Sequence, residues 1–104
     1  MIFDFTGHLR ILIDKALNGN SVDVDYIMDH LTVDSSLAMT RYVDFALSLV
    51  EKEEGIERIT YYLFSGTQIQ RNYASLFLNR LGEWDSVKKA YEQGLIDEIQ
   101  AYAR

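Results

Sequence analysis

Two histidines and several aspartates are the side chains of this sequence that could move protons. His8 and His30 lie 22 positions apart, and neither has a second histidine at helical spacing. His30 with Asp29 or Asp34 could form an acid–base pair, but such catalysis needs groups whose surroundings perturb them. We therefore expect ordinary, partly exposed side chains at these positions and predict no catalytic residue.

Metal chemistry has little support in the residue pattern. Asp23, Asp25 and Asp29 are clustered, but the central glycine and the closing glutamate of a calcium loop are absent. We interpret them as solvent-facing carboxylates that interact favourably with the N-terminal end of a helix dipole. The chain contains no cysteine, which excludes a disulfide scaffold, cysteine-ligated metal and a cysteine nucleophile. We predict no metal site and no cofactor.

A possible anion site lies at Gly66 and Thr67, which precede a predicted helix. No lysine follows at the spacing of a phosphate-binding loop, and no strand is predicted before it. Thr67 and Gln70 instead have the spacing of a capping box, in which each side chain hydrogen-bonds the backbone amide of the other. The pattern predicts a capped helix start rather than a nucleotide site.

The helix predicted from Thr67 to Leu81 has an unusual polar face. Exposed helix faces usually carry glutamate and lysine, whereas this face carries amides, one hydroxyl and one arginine: Gln68, Arg71, Asn72, Ser75 and Asn79. These groups suit contacts with a protein or with base edges. We predict that the face binds a protein partner or a second copy of the chain. The alternative is that it packs, fully hydrogen-bonded, against a neighbouring helix.

Helices must position all of these residues. The sequence has no proline, and its apolar residues recur at intervals of three and four. We predict an all-α single domain over residues 1–104, with five to seven helices arranged as stacked hairpins or as an irregular orthogonal bundle. The predicted helices cover residues 6–18, 23–31, 35–52, 56–64, 67–81 and 85–93, and a last turn begins near residue 97. Thr6 is the expected N-cap of the first helix, and Gly82 is expected to end the helix 67–81.

The helix 35–52 is predicted to be the longest and the central one, because its apolar positions cover about 200° of the helical wheel. Gly55 is expected to break the chain after it. The inward positions of this helix and of those that follow should share one core, formed by Tyr42, Phe45, Leu49, Ile59, Leu63, Tyr73, Phe77 and Trp84.

The second half contains a weak internal repeat. A shift of 28 residues places Gly55 to Gly66 on Glu83 to Gly94, which predicts two helical hairpins that stack on each other. The stretch 82–94 resembles the second helix of an ankyrin repeat, with glycine, valine and glycine at the family's spacing. Asp97 lies one place later than the family's aspartate. The helix 67–81 lacks the ankyrin Thr-Pro-Leu-His start and resembles a helix of a HEAT-type hairpin. The resemblance implies a hairpin layout and binding to other macromolecules.

Charge separates the remaining function classes. The net charge is −6; residues 1–57 carry a net of −7 and residues 58–104 a net of +1. The acidic half disfavours nucleic acid. We predict a non-enzymatic protein-interaction or regulatory module. One alternative is a nucleic-acid-associated regulator that uses the basic residues of the second half, and another is an enzyme with no recognisable motif. The basic residues that it would use are Arg58, Arg71, Arg80, Lys88 and Lys89.

The apolar runs of the sequence are too short to span a membrane. The first residues also lack the basic start of a signal peptide. We therefore expect a cytoplasmic protein of bacterial or phage type that does not associate with membranes.

Overall fold

The computed structural model of the protein describes residues 7–103, which form seven α-helices and no β-strand. The helices are α1 (Gly7–Asn18), α2 (Ser21–Met28), α3 (Leu37–Leu47), α4 (Glu53–Ser65), α5 (Gln68–Leu81), α6 (Trp84–Glu92) and α7 (Glu98–Tyr102). The predicted all-α fold of five to seven helices is confirmed. Thr6, the expected N-cap of the first helix, lies outside the described residues.

The chain divides into two compact units, Met1–Ile56 and Glu57–Arg104, and the boundary falls within α4. In the first unit α1, α2 and α3 pack against one another in all three pairs, and in the second α5, α6 and α7 do the same. The single domain predicted over residues 1–104 stays a prediction. The largest fully buried apolar side chains are Leu12, Val24, Ile27, Met28, Val43 and Leu47 in the first unit, and Ile59, Leu63, Leu78 and Val87 in the second.

The predicted extent of α3 is wrong: the helix predicted over residues 35–52 spans only Leu37–Leu47. It is also not the longest helix, because α4 and α5 are both longer. The Oγ of Ser36 caps its first turn by accepting a hydrogen bond from the N–H of Met39 (3.1 Å). At the other end, the N–H groups of Leu49 and Val50 each bond to the carbonyl three residues before (both 3.0 Å). Such bonds tighten the last turn of a helix and end it.

The predicted core is wrong at three positions. Tyr42, Phe45 and Trp84 are exposed, whereas Ile59, Leu63 and Phe77 are buried as expected and Leu49 and Tyr73 are half-buried. The buried positions of α3 are Thr40, Val43, Ala46 and Leu47. At 100° per residue they cover only about 120° of the wheel, and Phe45 lies on the opposite side. The wide apolar arc therefore reflects an exposed apolar surface in addition to a buried one.

Gly55 lies in the first turn of α4 and does not break the chain there, contrary to the prediction. A Cβ atom at this position would lie 2.5 Å from the carbonyl oxygen of Gly19 and 2.7 Å from Cγ1 of Val50. Real Cβ atoms do not approach other atoms so closely. Glycine is therefore needed for the backbone of α4 to approach the turn between α1 and α2.

Two hydrogen bonds fasten the same turn to the start of α4. Nζ of Lys52 donates to Oδ1 of Asn20 (2.6 Å), and the N–H of Ser21 donates to Oε2 of Glu54 (2.6 Å). Gly19, at the centre of the turn, has a φ of +69°, a value that L side chains rarely adopt. The end of α1, the start of α2 and the start of α4 are thereby held together.

Capping boxes position α5 and α7. The predicted box of α5 is confirmed: the N–H of Thr67 donates to Oε1 of Gln70 (2.9 Å), and the N–H of Gln70 donates to Oγ1 of Thr67 (3.4 Å). α7 has the same arrangement, which the sequence analysis missed. The N–H of Asp97 donates to Oε1 of Gln100 (2.9 Å), and the N–H of Gln100 donates to Oδ1 of Asp97 (2.8 Å). Gly82 ends α5 with a φ of +91°, as expected.

Candidate functional site

The polar face of α5 is partly inside the protein. Ser75 and Asn79 are buried, and the hydroxyl of Ser75 donates to the carbonyl of Asn72 (2.8 Å). Nδ2 of Asn79 lies 3.2 Å from the carbonyl oxygen of Gln100 and 3.1 Å from that of Ala101. These two side chains therefore present little surface to a partner, and Asn79 fastens α7 to α5. Their part in partner binding stays a prediction.

Arg71 holds the loop before α7 in place. Its Nε donates to the carbonyl of Leu95 (2.8 Å), its Nη1 to the carbonyl of Gly66 (2.9 Å) and its Nη2 to Oε1 of Gln68 (2.8 Å). Nε2 of Gln68 in turn donates to Oδ1 of Asn72 (2.8 Å). Gln68 is exposed, and Arg71 and Asn72 are half-buried. Partner binding by these three residues stays a prediction, although their hydrogen bonds lie within the chain.

A cleft of about 370 Å³ lies beside this face and is the candidate functional site. Most of its walls come from α6 and α7, and three of its lining side chains are aromatic. Trp84 is 54% exposed, Tyr91 39% and Tyr102 69%. The lining residues are Asn79, Trp84, Asp85, Lys88, Tyr91, Glu92, Ala101 and Tyr102.

Helical spacing places two of these aromatic rings along one side of α6. Trp84, Lys88 and Tyr91 occur at i, i+4 and i+7, which is one face of an α-helix. The buried residues Val87 and Ala90 lie on the adjacent face, about 100° around the helix from this stripe. α6 therefore contributes an exposed surface to the cleft, and not the surface that faces the core.

Asn79 links the two walls of the cleft. Its backbone carbonyl accepts a hydrogen bond from Nε1 of Trp84 (3.3 Å), at the start of α6. Its side-chain amide donates to the carbonyls of Gln100 and Ala101, in α7. One buried residue of α5 thus fixes the indole ring and also the helix that carries Tyr102.

The charged lining groups comprise two carboxylates and one ammonium group. Nζ of Lys88 lies 4.0 Å from Oε1 of Glu92, and both side chains are largely exposed. Asp85 adds a second carboxylate to the lining. Aromatic rings bordered by carboxylates can bind apolar side chains and cations.

The two units of the repeat predicted from the sequence differ in burial at the residues that line this cleft. The shift of 28 residues pairs Leu63 with Tyr91 and Ile56 with Trp84. Leu63 is buried and Ile56 half-buried, whereas Tyr91 and Trp84 are both exposed. The site was not predicted from the sequence, because Trp84 was assigned to the core. The signal that could have found it is the stripe Trp84, Lys88 and Tyr91.

The two histidines, which are distant in sequence, lie close together. The ring centroids of His8 and His30 are 6.1 Å apart, and those of Tyr26 and His30 are 5.0 Å apart. Nδ1 of His30 donates to the carbonyl of Tyr26 (2.8 Å). Within residues 7–103 no group of three or more histidine, cysteine or acidic side chains could hold a metal ion.

The interpretation of the aspartate cluster is wrong for Asp23. This residue is buried, and its Oδ2 accepts a hydrogen bond from the N–H of Asn20 (3.0 Å) at the start of α2. Asp25 is half-buried; Asp29 is exposed, but it is the C-cap of α2, so its expected place at the N-terminal end of a helix dipole is also wrong. Asp23 therefore stabilises the helix start by a direct bond, in addition to any interaction with the helix dipole.

The basic residues of the second half have different surroundings. The guanidinium of Arg58 lies 4.2 Å from the ring centroid of Tyr61, and Arg71 is hydrogen-bonded as described above. Lys88 lines the aromatic cleft, whereas Lys89 lines a separate hollow that includes Phe64. Arg58 and Arg71 are thus engaged by neighbouring parts of the chain, and Nζ of Lys88 lies 4.0 Å from Oε1 of Glu92.

Comparisons of the chain with protein-family models, with curated proteins and with solved structures give no match. In the part of the chain that the structure describes, no helix is long and apolar enough to cross a membrane.

Proposed function

We propose that the protein is a non-enzymatic interaction module that binds a partner protein through the cleft of α6 and α7. The observation that carries the proposal is the exposure of Trp84, Tyr91 and Tyr102 around one cleft. Tryptophan and tyrosine dominate the binding energy of protein interfaces, because they bury large apolar areas and lose little side-chain entropy. Three such residues at one place form the type of anchor that protein interfaces use.

The site favours this function over the two alternatives. The cleft lining contains no histidine, serine or cysteine, and its Lys88–Glu92 pair is largely exposed, whereas acid–base catalysis needs groups whose surroundings perturb them. A nucleic-acid site needs several basic groups that can reach phosphates, but this cleft offers one lysine against two carboxylates. The cytoplasmic location remains a prediction from the sequence.

The test compares two substitutions on the same short helix. Tyr102 lines the cleft, whereas Ile99 is 81% exposed on α7 and does not line it. Proteins captured from the native cells with the wild-type chain should be lost with Tyr102→Ala and retained with Ile99→Ala. Removal of an aromatic anchor should weaken binding by about 2 kcal/mol or more.

A captured protein should then bind the purified wild-type chain, with the same ranking of variants by calorimetry. Sedimentation of the purified chain establishes whether the partner is a second copy, because self-association would then also depend on Tyr102. Equal binding by the Tyr102 and Ile99 variants would show that the cleft is not the interaction surface.

A further inference from the structure

We propose that the segment bound in this cleft carries an arginine or lysine side chain between apolar neighbours. This inference rests on the proposed function and specifies the chemistry of the partner. The basic group would lie against the rings of Trp84, Tyr91 and Tyr102. Its charge would face the carboxylates of Asp85 and Glu92.

The aromatic groups provide the first part of the reasoning. The faces of indole and phenol rings carry partial negative charge, so they attract guanidinium and ammonium groups as well as apolar chains. The three aromatic side chains that line the cleft are all at least 39% exposed. A long basic side chain matches this surface, because its methylene groups are apolar and its end is cationic.

The charges of the cleft provide the second part. The two carboxylates exceed the one lysine, so the lining has a net negative charge. Residues 58–104, which contain the cleft, carry a net charge of +1, so the preference for a cationic segment over an acidic one comes from the two carboxylates of the lining itself. Aromatic contact and electrostatics thus favour the same kind of partner.

Lys88 provides a distinctive consequence. Its Nζ lies 4.0 Å from Oε1 of Glu92, so the cleft already contains a cation paired with one of its carboxylates. A bound basic side chain would compete with Lys88 for Glu92. Removal of the Lys88 charge should therefore strengthen the binding of a basic segment, whereas it should weaken the binding of an acidic one.

The chain supplies its own probe for this experiment. Trp84 is the only tryptophan, so fluorescence excited selectively at the indole reports on the cleft. The ligands are capped Ala-Leu-Arg-Leu-Ala and the same peptide with citrulline or glutamate at the centre. Citrulline keeps the shape of arginine without its charge. We expect saturable changes with the arginine peptide and about 2- to 30-fold weaker binding of the citrulline peptide.

Matched variants separate the contributions. Lys88→Gln should bind the arginine peptide about two- to fivefold more tightly than wild type. Lys89→Gln removes an exposed lysine of the same helix that does not line the cleft, and it should bind as wild type does. Glu92→Gln should weaken binding, whereas Glu98→Gln, on α7 outside the cleft lining, should not.

The outcomes distinguish this inference from the function on which it rests. If the citrulline or glutamate peptide binds as tightly as the arginine peptide, and Tyr102→Ala weakens it, the cleft binds peptides but the inferred cationic chemistry is wrong. If none of the peptides changes the emission of Trp84 at millimolar concentration, the inference is overturned. The capture experiment with the Tyr102 and Ile99 variants then decides the proposed function separately.

Discussion

Replacement of Gly55 by alanine tests the close approach between α4 and the turn that joins α1 to α2. In an ordinary helix this change stabilises a protein by about 0.5–1 kcal/mol, because alanine is the better helix former. Here the new Cβ would lie 2.5 Å from the carbonyl oxygen of Gly19 and 2.7 Å from Cγ1 of Val50. The backbone of one of the two segments must therefore move.

The magnitude follows from these contacts. Overpacking of one methyl group costs about 1–3 kcal/mol. Movement of the turn would also weaken the bonds of Lys52 to Asn20 and of Ser21 to Glu54, and each contributes up to about 1 kcal/mol net. Against the gain in helix propensity, we expect Gly55→Ala to lower the free energy of unfolding by about 1–3 kcal/mol.

Thermal unfolding monitored by circular dichroism measures this effect. A loss of 1 kcal/mol lowers the Tm of a domain of this size by about 4–8 °C. Glu57→Ala, at an exposed position on the same helix, is the control and should change stability by less than about 0.5 kcal/mol. If Gly55→Ala melts at or above the wild-type temperature, the close approach does not exist and the reasoning is refuted.

Three further substitutions test other contacts. Leu47→Ala should destabilise the protein by about 2–5 kcal/mol, because Leu47 is buried, whereas Phe45→Ala should cost only about 1 kcal/mol because Phe45 is 45% exposed. Arg71→Glu should cost about 1–3 kcal/mol through the loss of its bonds to Leu95 and Gly66. Asn79→Ala should cost a similar amount and speed the hydrogen exchange of the α7 amides.

For each of these substitutions, one outcome would contradict the prediction. A larger effect at Phe45 than at Leu47 would mean that the buried face of α3 is assigned wrongly. Unchanged melting of the Arg71 variant would show that its hydrogen bonds do not hold the loop before α7. If the α7 amides of the Asn79 variant exchange at the wild-type rate, the asparagine side chain does not hold α7 in place.

The sequence was sufficient to predict features that depend on nearby residues. Helical periodicity gave the fold class, and the spacing of Thr67 and Gln70 gave the capping box of α5, because its partners are three positions apart. The end of α5 at Gly82 was also predicted, because a glycine directly after a helical pattern is itself a local signal. These features need no knowledge of which helices pack together.

Features that depend on distant residues could not be predicted. The partner of Gly55 is Gly19, 36 positions away, so no local pattern shows that this glycine belongs inside a helix. The same is true of Trp84, an aromatic residue that size alone assigns to a core. Its exposure follows from which side of α6 contacts α5. The aromatic cleft could not be predicted for that reason, although the stripe of residues on α6 can be read from the sequence.

The support of α7 has a consequence for the affinity of the cleft. This helix has five residues, none of them buried, and an isolated helix of that length is unstable in water. Its position therefore depends on Asn79 and on the capping box of Asp97. Since α7 carries Tyr102, molecules in which it has detached from α5 lack one wall of the cleft. The measured dissociation constant of a ligand would equal the intrinsic value divided by the fraction of molecules with α7 attached. A mutation that only loosens α7 thus weakens binding without altering a single ligand contact, and ligand in turn protects α7 from exchange.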